Sequence, residues 1–213
     1  MVKEEAILEA VKEVIKNKRN FVQSVDLIVV IDGLDLKKPE NRITLSVELP
    51  AKLSKPRSVA VIGTGAFLEK AKEAKPDALI SNEDLKKLAA DRKKAKKLGK
   101  AYDFFVCEAS LMPDVGRVLG FVLGPRRRMP TPIPPSGDVA ASIRKFKNSV
   151  HIFLKNQPVA ATSIGYQDMA PGDLAKNAAE VIRAISERLP RGAAIKRIYV
   201  KTTMGPPVEV PVK

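Results

Sequence analysis

The sequence predicts a mixed fold of two domains, an α/β domain inserted into a discontinuous α+β domain, across 213 residues. Three observations lead there. Two strand-like segments lie between Phe21 and Pro50 beside one amphipathic helix, too little to cover their own apolar faces without help from elsewhere in the chain. Between about residue 56 and residue 147 short apolar runs alternate with helical segments, the order that parallel strands with helical crossovers produce. From Val150 onward the pattern reverts to strand, strand, helix, strand, which supplies the missing half of the first unit.

Taken in order, Val2 to Lys18 places Ile7, Ala10, Val11, Val14 and Ile15 on one helical stripe, with Lys and Glu opposite. In the next segment Val25, Leu27, Val29 and Ile31 alternate with Asp26, Ile28 and Val30, and Ile43, Leu45, Val47 and Leu49 alternate with Thr44, Ser46 and Glu48. This is the period of strands with one buried face, and it predicts two strands of one platform joined by a turn. The turn mixes Gly33, Asp35, Pro39 and Asn41 with Lys37, Lys38 and Arg42, a composition that suits phosphate contact as well as plain solvation. Pro50 to Arg57 reads as a linker.

Ser58 to Ile62 then predicts a strand, Ala66 to Ala74 a helix, Ala78 to Ile80 a strand, Asn82 to Leu98 one long basic helix, and Tyr102 to Cys107 a further strand. Leu111 to Leu123 and Asp138 to Phe146 predict helices on either side of a proline-rich loop, Gly124 to Gly137. Val150 to Leu154 and Val159 to Ser163 read as a hairpin around Asn156 and Gln157. Pro171, Gly172 and Asp173 signal the start of a helix running to Leu189, with Leu174, Ala178, Val181, Ile182 and Ile185 on one stripe. Ile195 to Thr203 closes the sheet, with Ile195, Ile198 and Val200 as its apolar positions and Pro206 and Pro207 ending it. The expected domains are 1–55 plus 148–213, and 56–147.

Lysine and arginine number 38 against 24 acids, a formal net charge of +14. That balance favours polyanionic partners, nucleic acid first. No apolar run reaches the roughly 18 residues that would span a bilayer, and the N-terminal helix carries acids rather than a signal-peptide pattern, so no membrane role and a cytoplasmic location are expected. A lone cysteine, Cys107, excludes an intramolecular disulfide, and with one histidine, His151, no zinc site is expected.

Gly63-Thr64-Gly65 follows a strand and opens a helix, as a phosphate-binding turn would, but Leu68 stands where a third glycine belongs and no Walker lysine or serine follows. Asp103, Glu108, Asp114 and His151 lie on different elements without a nucleophile motif, so no catalytic residues are assigned. The eight cations of Lys86 to Lys100 fit a solvated helix face. Arg126, Arg127 and Arg128 sit on the proline-rich loop, which is expected to stay out of the core and touch something acidic. The stretch Lys201 to Pro207, KTTMGPP, ends a strand with hydroxyls, a flexible apolar side chain and a glycine. Such residues allow close approach to sugar and phosphate, and their side chains are expected to add little to the core.

The segments FVQSVDLIVVIDGLDLKKPENRI, YDFFVCEASLMPDVGRVLGFVLGPRRRMPTPIP and TTMGPPVEV together resemble the family of the first large-subunit ribosomal protein (ribosomal protein L-one), archaeal type. The resemblance spans the chain. It implies a ferredoxin- or RRM-like split RNA-binding domain made of both termini, with an inserted Rossmann-like three-layer domain. It further implies RNA contacts from Phe21, Ser24, Lys37, Lys38, Arg42, Thr203, Met204 and Gly205, and secondary RNA or tRNA contacts from Arg126, Arg127 and Arg128. The implied function is binding of large-subunit rRNA at the mobile stalk near the exit-site tRNA, as part of the large ribosomal subunit, with repression of translation through the protein's own mRNA. No cofactor, no metal and no enzymatic activity are implied, and the free protein is expected to be a monomer. A generic basic RNA-binding module, or a nucleotide-dependent enzyme using Gly63 to Gly65, are the alternatives. The family's loop reads GPRG and then a variable residue, whereas here Arg127 replaces that glycine, which argues against a positive φ at 127.

Overall fold

The computed structural model describes residues 4–17, 19–36, 41–135, 137–154, 157–190 and 192–211. In chain order the elements are α1 (Glu4–Ile15), β1 (Ser24–Asp32), β2 (Thr44–Glu48), β3 (Val59–Ile62), α2 (Gly65–Lys72), β4 (Ala78–Ile80), α3 (Asn82–Ala90), α4 (Arg92–Ala101), β5 (Phe104–Glu108), α5 (Met112–Arg126), β6 (Thr131–Ile133), α6 (Val139–Lys147), β7 (Ser149–Phe153), β8 (Val159–Tyr166), α7 (Pro171–Arg188), β9 (Ala194–Thr202) and β10 (Val208–Val210). They fall into two compact units, residues 1–55 with 148–213, and residues 56–147. The fold is the mixed one the sequence predicts.

In the first unit an antiparallel sheet runs β10-β9-β1-β8. Val25, Leu27, Val29 and Ile31 turn one face of β1 into the core, where they meet Ile7, Val11 and Val14 of α1 and Leu174, Ala178, Val181 and Ile185 of α7. Two helices on one sheet face bury both apolar stripes at once. A second, two-stranded sheet pairs β2 with β7, and Val47, Leu49, Val150 and Ile152 carry it into the same core.

The strand pairing corrects the sequence reading at three points. β1 and β2 do not share a sheet, because both edges of β1 are taken by β8 and β9. β7 and β8 form no ladder with each other: β7 serves β2, and β8 serves β1; Asn156, at the expected hairpin tip, lies outside the described residues. The two prolines do not end the sheet, since β10 follows them and returns along β9 with Val208 opposite Val200. A bulge opposite Val30 and Ile31, where Arg197 and Ile195 are the partners and Lys196 is skipped, explains why the apolar positions Ile195 and Ile198 are an odd number of residues apart. The stretch read as a linker is also half structural. Asn148 Oδ1 accepts from Leu53 N (2.9 Å) and buried Asn177 Oδ1 from Ala51 N (2.9 Å), fastening Leu49 to Leu53 into this unit.

The second unit is a three-layer Rossmann-like sandwich around a parallel sheet ordered β4-β3-β5-β6. β3 and β5 are buried on both faces, as their unbroken apolar runs require. Ala60, Ile62, Phe105 and Cys107 face the layer of α3, α4 and α5; Val59, Val61, Phe104 and Val106 face α2 and α6.

Here the long basic helix is two helices. Asp91 leaves the helical conformation (φ −118°, ψ 91°) and its carboxylate accepts from the amides of Lys93 and Lys94, capping a new start. The proline-rich stretch is not a single loop either. Gly124, Pro125 and Arg126 finish α5, and Thr131 to Ile133 form an edge strand beside β5, where a proline costs no ladder bond on the solvent side.

Candidate nucleic-acid interface

Gln23 shares the parity of Val25 and Leu27, so the pleat turns it inward, and it is buried. A buried amide is stable only when its polar atoms are bonded. Gln23 Nε2 donates to Asn17 O (3.0 Å) and Gln167 Oε1 (3.3 Å), and its Oε1 accepts from Met204 N (3.0 Å). One side chain thus ties the end of α1, the turn after β8 and the turn after β9 together. Gln167 reinforces the knot by donating from Nε2 to Ile15 O at 2.7 Å.

On the opposite parity stands Ser24. Its hydroxyl is 2.8 Å from Thr203 Oγ1 and donates to Asp26 Oδ1 at 3.0 Å, while Thr203 N donates to Ser24 O at 3.1 Å. Phe21, Val22 and Met204 border this hydroxyl pair with 55%, 59% and 63% of their surfaces exposed, although all three are large apolar side chains. Beside them lies a depression of about 340 Å³ lined by Arg19, Asn20, Phe21, Val22, Gln167 and Asp168. Exposed apolar side chains next to hydroxyls can stack on or cover a flat ligand while the hydroxyls meet sugar oxygens. Gly205 has its own constraint: a Cβ there would collide with the Oγ1 of buried Thr202. Residue 205 therefore has a structural duty, beside the RNA contact that the resemblance implies. The glycine seats the turn against Thr202.

Arg42 is not part of this cluster. Asn41 Nδ2 donates to Asp35 O at 2.7 Å, which places Arg42 beyond the Asp32 end of β1, whereas Ser24 and Thr203 sit at its start. The strand is nine residues long, so about 30 Å separates the two places. Arg42 is exposed; Lys37 and Lys38 lie outside the described residues.

The three arginines are also dispersed by role. Arg126 is exposed on the last turn of α5. Arg127 caps that helix in the left-handed region with φ 56°, so the expectation of a negative φ is overturned. Its amide donates to Gly124 O (3.0 Å), and that of Arg128 to Leu123 O (3.0 Å), which is how a left-handed residue closes a helix end. Arg128 bonds Tyr102 O (2.6 Å) and Asp103 Oδ1 (3.2 Å), so the acid it touches belongs to its own unit.

In the glycine turn after β3, Gly63 N donates to Ile80 O and Thr64 is held by a carboxylate. Thr64 N and Oγ1 both donate to Glu108 Oε2 at 2.8 Å, and Ser110 Oγ donates to Glu108 Oε1 at 2.9 Å. The Thr64 amide bond, more than the two hydroxyls, holds the buried Glu108 carboxyl below its ordinary value. A phosphate arriving here would meet a carboxylate. Burial pushes the neighbouring Cys107 thiol up to about 12, with the Glu108 charge adding to it, far from a reactive thiolate. His151 Nδ1 sits 3.1 Å from Ser46 Oγ, and His151 and Glu108 belong to different units. Among the described residues no cluster of His, Cys, Asp and Glu could hold a metal ion, and no helix is long and apolar enough to cross a membrane.

Gln23 escaped the sequence reading, and its signal was present: a polar residue in phase with a buried strand face has to be bonded internally.

A split α+β unit wrapped in sequence around a Rossmann-like insert defines a narrow class of protein, and comparison with known families agrees. A model of the ribosomal protein L1p/L10e family matches residues 11–206, and the chain belongs to that family. It is similar to the large ribosomal subunit protein uL1 of Thermofilum pendens, 47% identical over 97% of this chain and 92% of the relative. That of Thermococcus kodakarensis is 46% identical over 96% of each chain, and that of Archaeoglobus fulgidus 41% identical over 99% of each.

Proposed function

We propose that this chain is a ribosomal protein of the large subunit that binds rRNA directly through its split unit, at the mobile stalk near the exit-site tRNA. Family membership and the names of its relatives support the ribosomal assignment. The observation that carries the RNA surface is the bonded pair Ser24 and Thr203, flanked by exposed Phe21 and Met204 and held from below by Gln23. A net charge of +14 supplies the long-range attraction that phosphates require. Arg42, with Lys37 and Lys38, would meet the RNA backbone farther along the same unit, and a duplex could reach both places. Gly205 contributes by shaping the turn.

The same surface would recognise a similar fold in the protein's own mRNA and repress its translation, and Arg126 of the inserted unit would face tRNA in the exit site. The free protein acts as a cytoplasmic monomer that joins the ribosome. Catalysis at Gly63 to Gly65 is disfavoured by the Glu108 carboxylate already bound to Thr64.

Filter binding on the stalk rRNA fragment, against a scrambled RNA of equal length, tests the reading. Tight binding to the first and weak binding to the second is expected. Equal affinity would reduce the protein to a generic basic RNA binder.

A further inference from the structure

We propose that the α4–α5 face of the inserted unit is a second, independent RNA-binding surface, on which Phe121 stacks an unpaired base and Lys96, Lys100 and Arg126 hold the flanking phosphates. It uses residues of the inserted unit alone, deepens the reading of Arg126 as a tRNA-facing residue, and stands whether or not residues 21–24 and 202–205 bind RNA.

The cationic helix is more than a solvated face because of how it is seated. α4 buries only Ala95 and Gly99, one turn apart, and a Cβ at Gly99 would run into Val122 and Leu123 of α5. Small residues at this spacing bring the two helices close. Arg92, Lys96 and Lys100 follow at four-residue spacing and line up along one side of α4, all exposed. Across the groove stands Phe121 of α5, 44% exposed, outside the buried stripe formed by Val115, Leu119, Val122 and Leu123.

Arg92 lies 5.7 Å from the Phe121 ring centroid, a cation–π distance. The depression between the helices, about 170 Å³, is lined by Lys96, Lys100, Phe121, Val122, Pro125 and Arg126, with no carboxylate in the lining among the described residues. An exposed aromatic set among cations that no acid in the lining neutralises is what sequence-tolerant binding of single-stranded nucleic acid uses: a stacking platform and a phosphate track. An apolar partner would not need the cations, and a bare anion would not need the ring.

The test uses the full chain and a short oligoadenylate RNA, with inorganic polyphosphate and polyglutamate as controls without bases. Phe121→Ala is expected to weaken oligoadenylate binding roughly five- to hundredfold, and Phe121→Tyr to retain it. Polyphosphate affinity is expected to ignore both substitutions. Lys96→Glu with Lys100→Glu is expected to weaken binding of oligoadenylate and of polyphosphate alike. Ultraviolet crosslinking followed by peptide mass spectrometry is expected to place the base on the peptide containing Phe121. Unchanged oligoadenylate affinity in a folded Phe121→Ala variant overturns the proposal. So does a crosslink confined to residues 21–24 and 202–205, which would leave the split-unit reading standing. An equal effect of Phe121→Ala on polyglutamate would also overturn it, by making the partner an acidic polypeptide.

Discussion

The hydroxyl of Ser24 lies 2.8 Å from that of Thr203, a residue 179 positions away. Because the Ser24 hydroxyl donates to Asp26, it accepts from Thr203, and the bonded pair is expected to act as a unit toward RNA. Thr203→Val keeps the shape and removes one hydroxyl, at an expected cost of about 0.5–1.5 kcal/mol in binding to the rRNA fragment. Ser24→Ala is expected to cost a similar amount, and the double variant less than the sum. Because Thr203 is exposed, the melting temperature is expected to move little. Additive losses would make the two hydroxyls independent contacts instead of a unit, and affinity unchanged in Thr203→Val would remove the pair from the binding surface.

Gly205 behaves differently, since even Gly205→Ala brings its Cβ into Thr202 Oγ1. A loss of about 1–3 kcal/mol in stability is expected for that variant. The clash is specific to one atom: without Oγ1 the next contact is Thr202 Cβ at 3.6 Å, ordinary van der Waals distance. Thr202→Ala is therefore expected to remove most of the additional cost of Gly205→Ala in denaturant unfolding. Equal costs in both backgrounds would count against the clash.

Arg127 holds a positive φ of 56° with a full side chain. An L-residue there costs about 1 kcal/mol more than glycine. Arg127→Gly is expected to be more stable than Arg127→Ala by that amount, a comparison that removes the side chain from both. Thermal unfolding of the two variants checks it.

Glu108 sets a pH dependence. Its folded carboxyl is below the unfolded value because Thr64 N, Thr64 Oγ1 and Ser110 Oγ bond the ionised form. The resulting stability is complete above the unfolded value, near 4.5, and is lost as pH falls through the lower folded value. Glu108→Gln is expected to lose about 1–3 kcal/mol at neutral pH and to approach the parent in acid. A gap between the two proteins that does not narrow at low pH would contradict this.

Arg42, exposed and far from the hydroxyl pair, is expected to contribute one phosphate contact. Arg42→Gln should reduce the slope of log affinity against log salt by about 0.7–0.9 without altering the preference for native over scrambled RNA. Arg128→Gln is expected instead to destabilise the inserted unit, because it breaks the bonds to Tyr102 O and Asp103. Thermal melts and salt titrations separate the two arginines.

Read alone, the sequence determines the mixed fold and most element positions, because side-chain periodicity reports locally which face of an element is buried. Val25 to Ile31 at period two and Leu174 to Ile185 on a helical stripe need no partner to be recognised. It also carries the family signature in the stretches around Ser24, Arg126 and Thr203. What a strand pairs with is not local. Both β1 and β2 have one buried face, and only the packed chain assigns β1 to β8 and β9 and β2 to β7, since those pairings close loops of a hundred residues or more. The same is true of the break at Asp91, where a side-chain cap outweighs a helical pattern, and of Arg128, whose acid lies on another element. Tertiary structure alone brings Ser24 beside Thr203, places Gln23 beneath Met204, and sets Arg42 at the other end of the strand. A hydrogen bond between distant residues leaves no periodic trace in the sequence, and only the closing of the split unit decides which side chains meet.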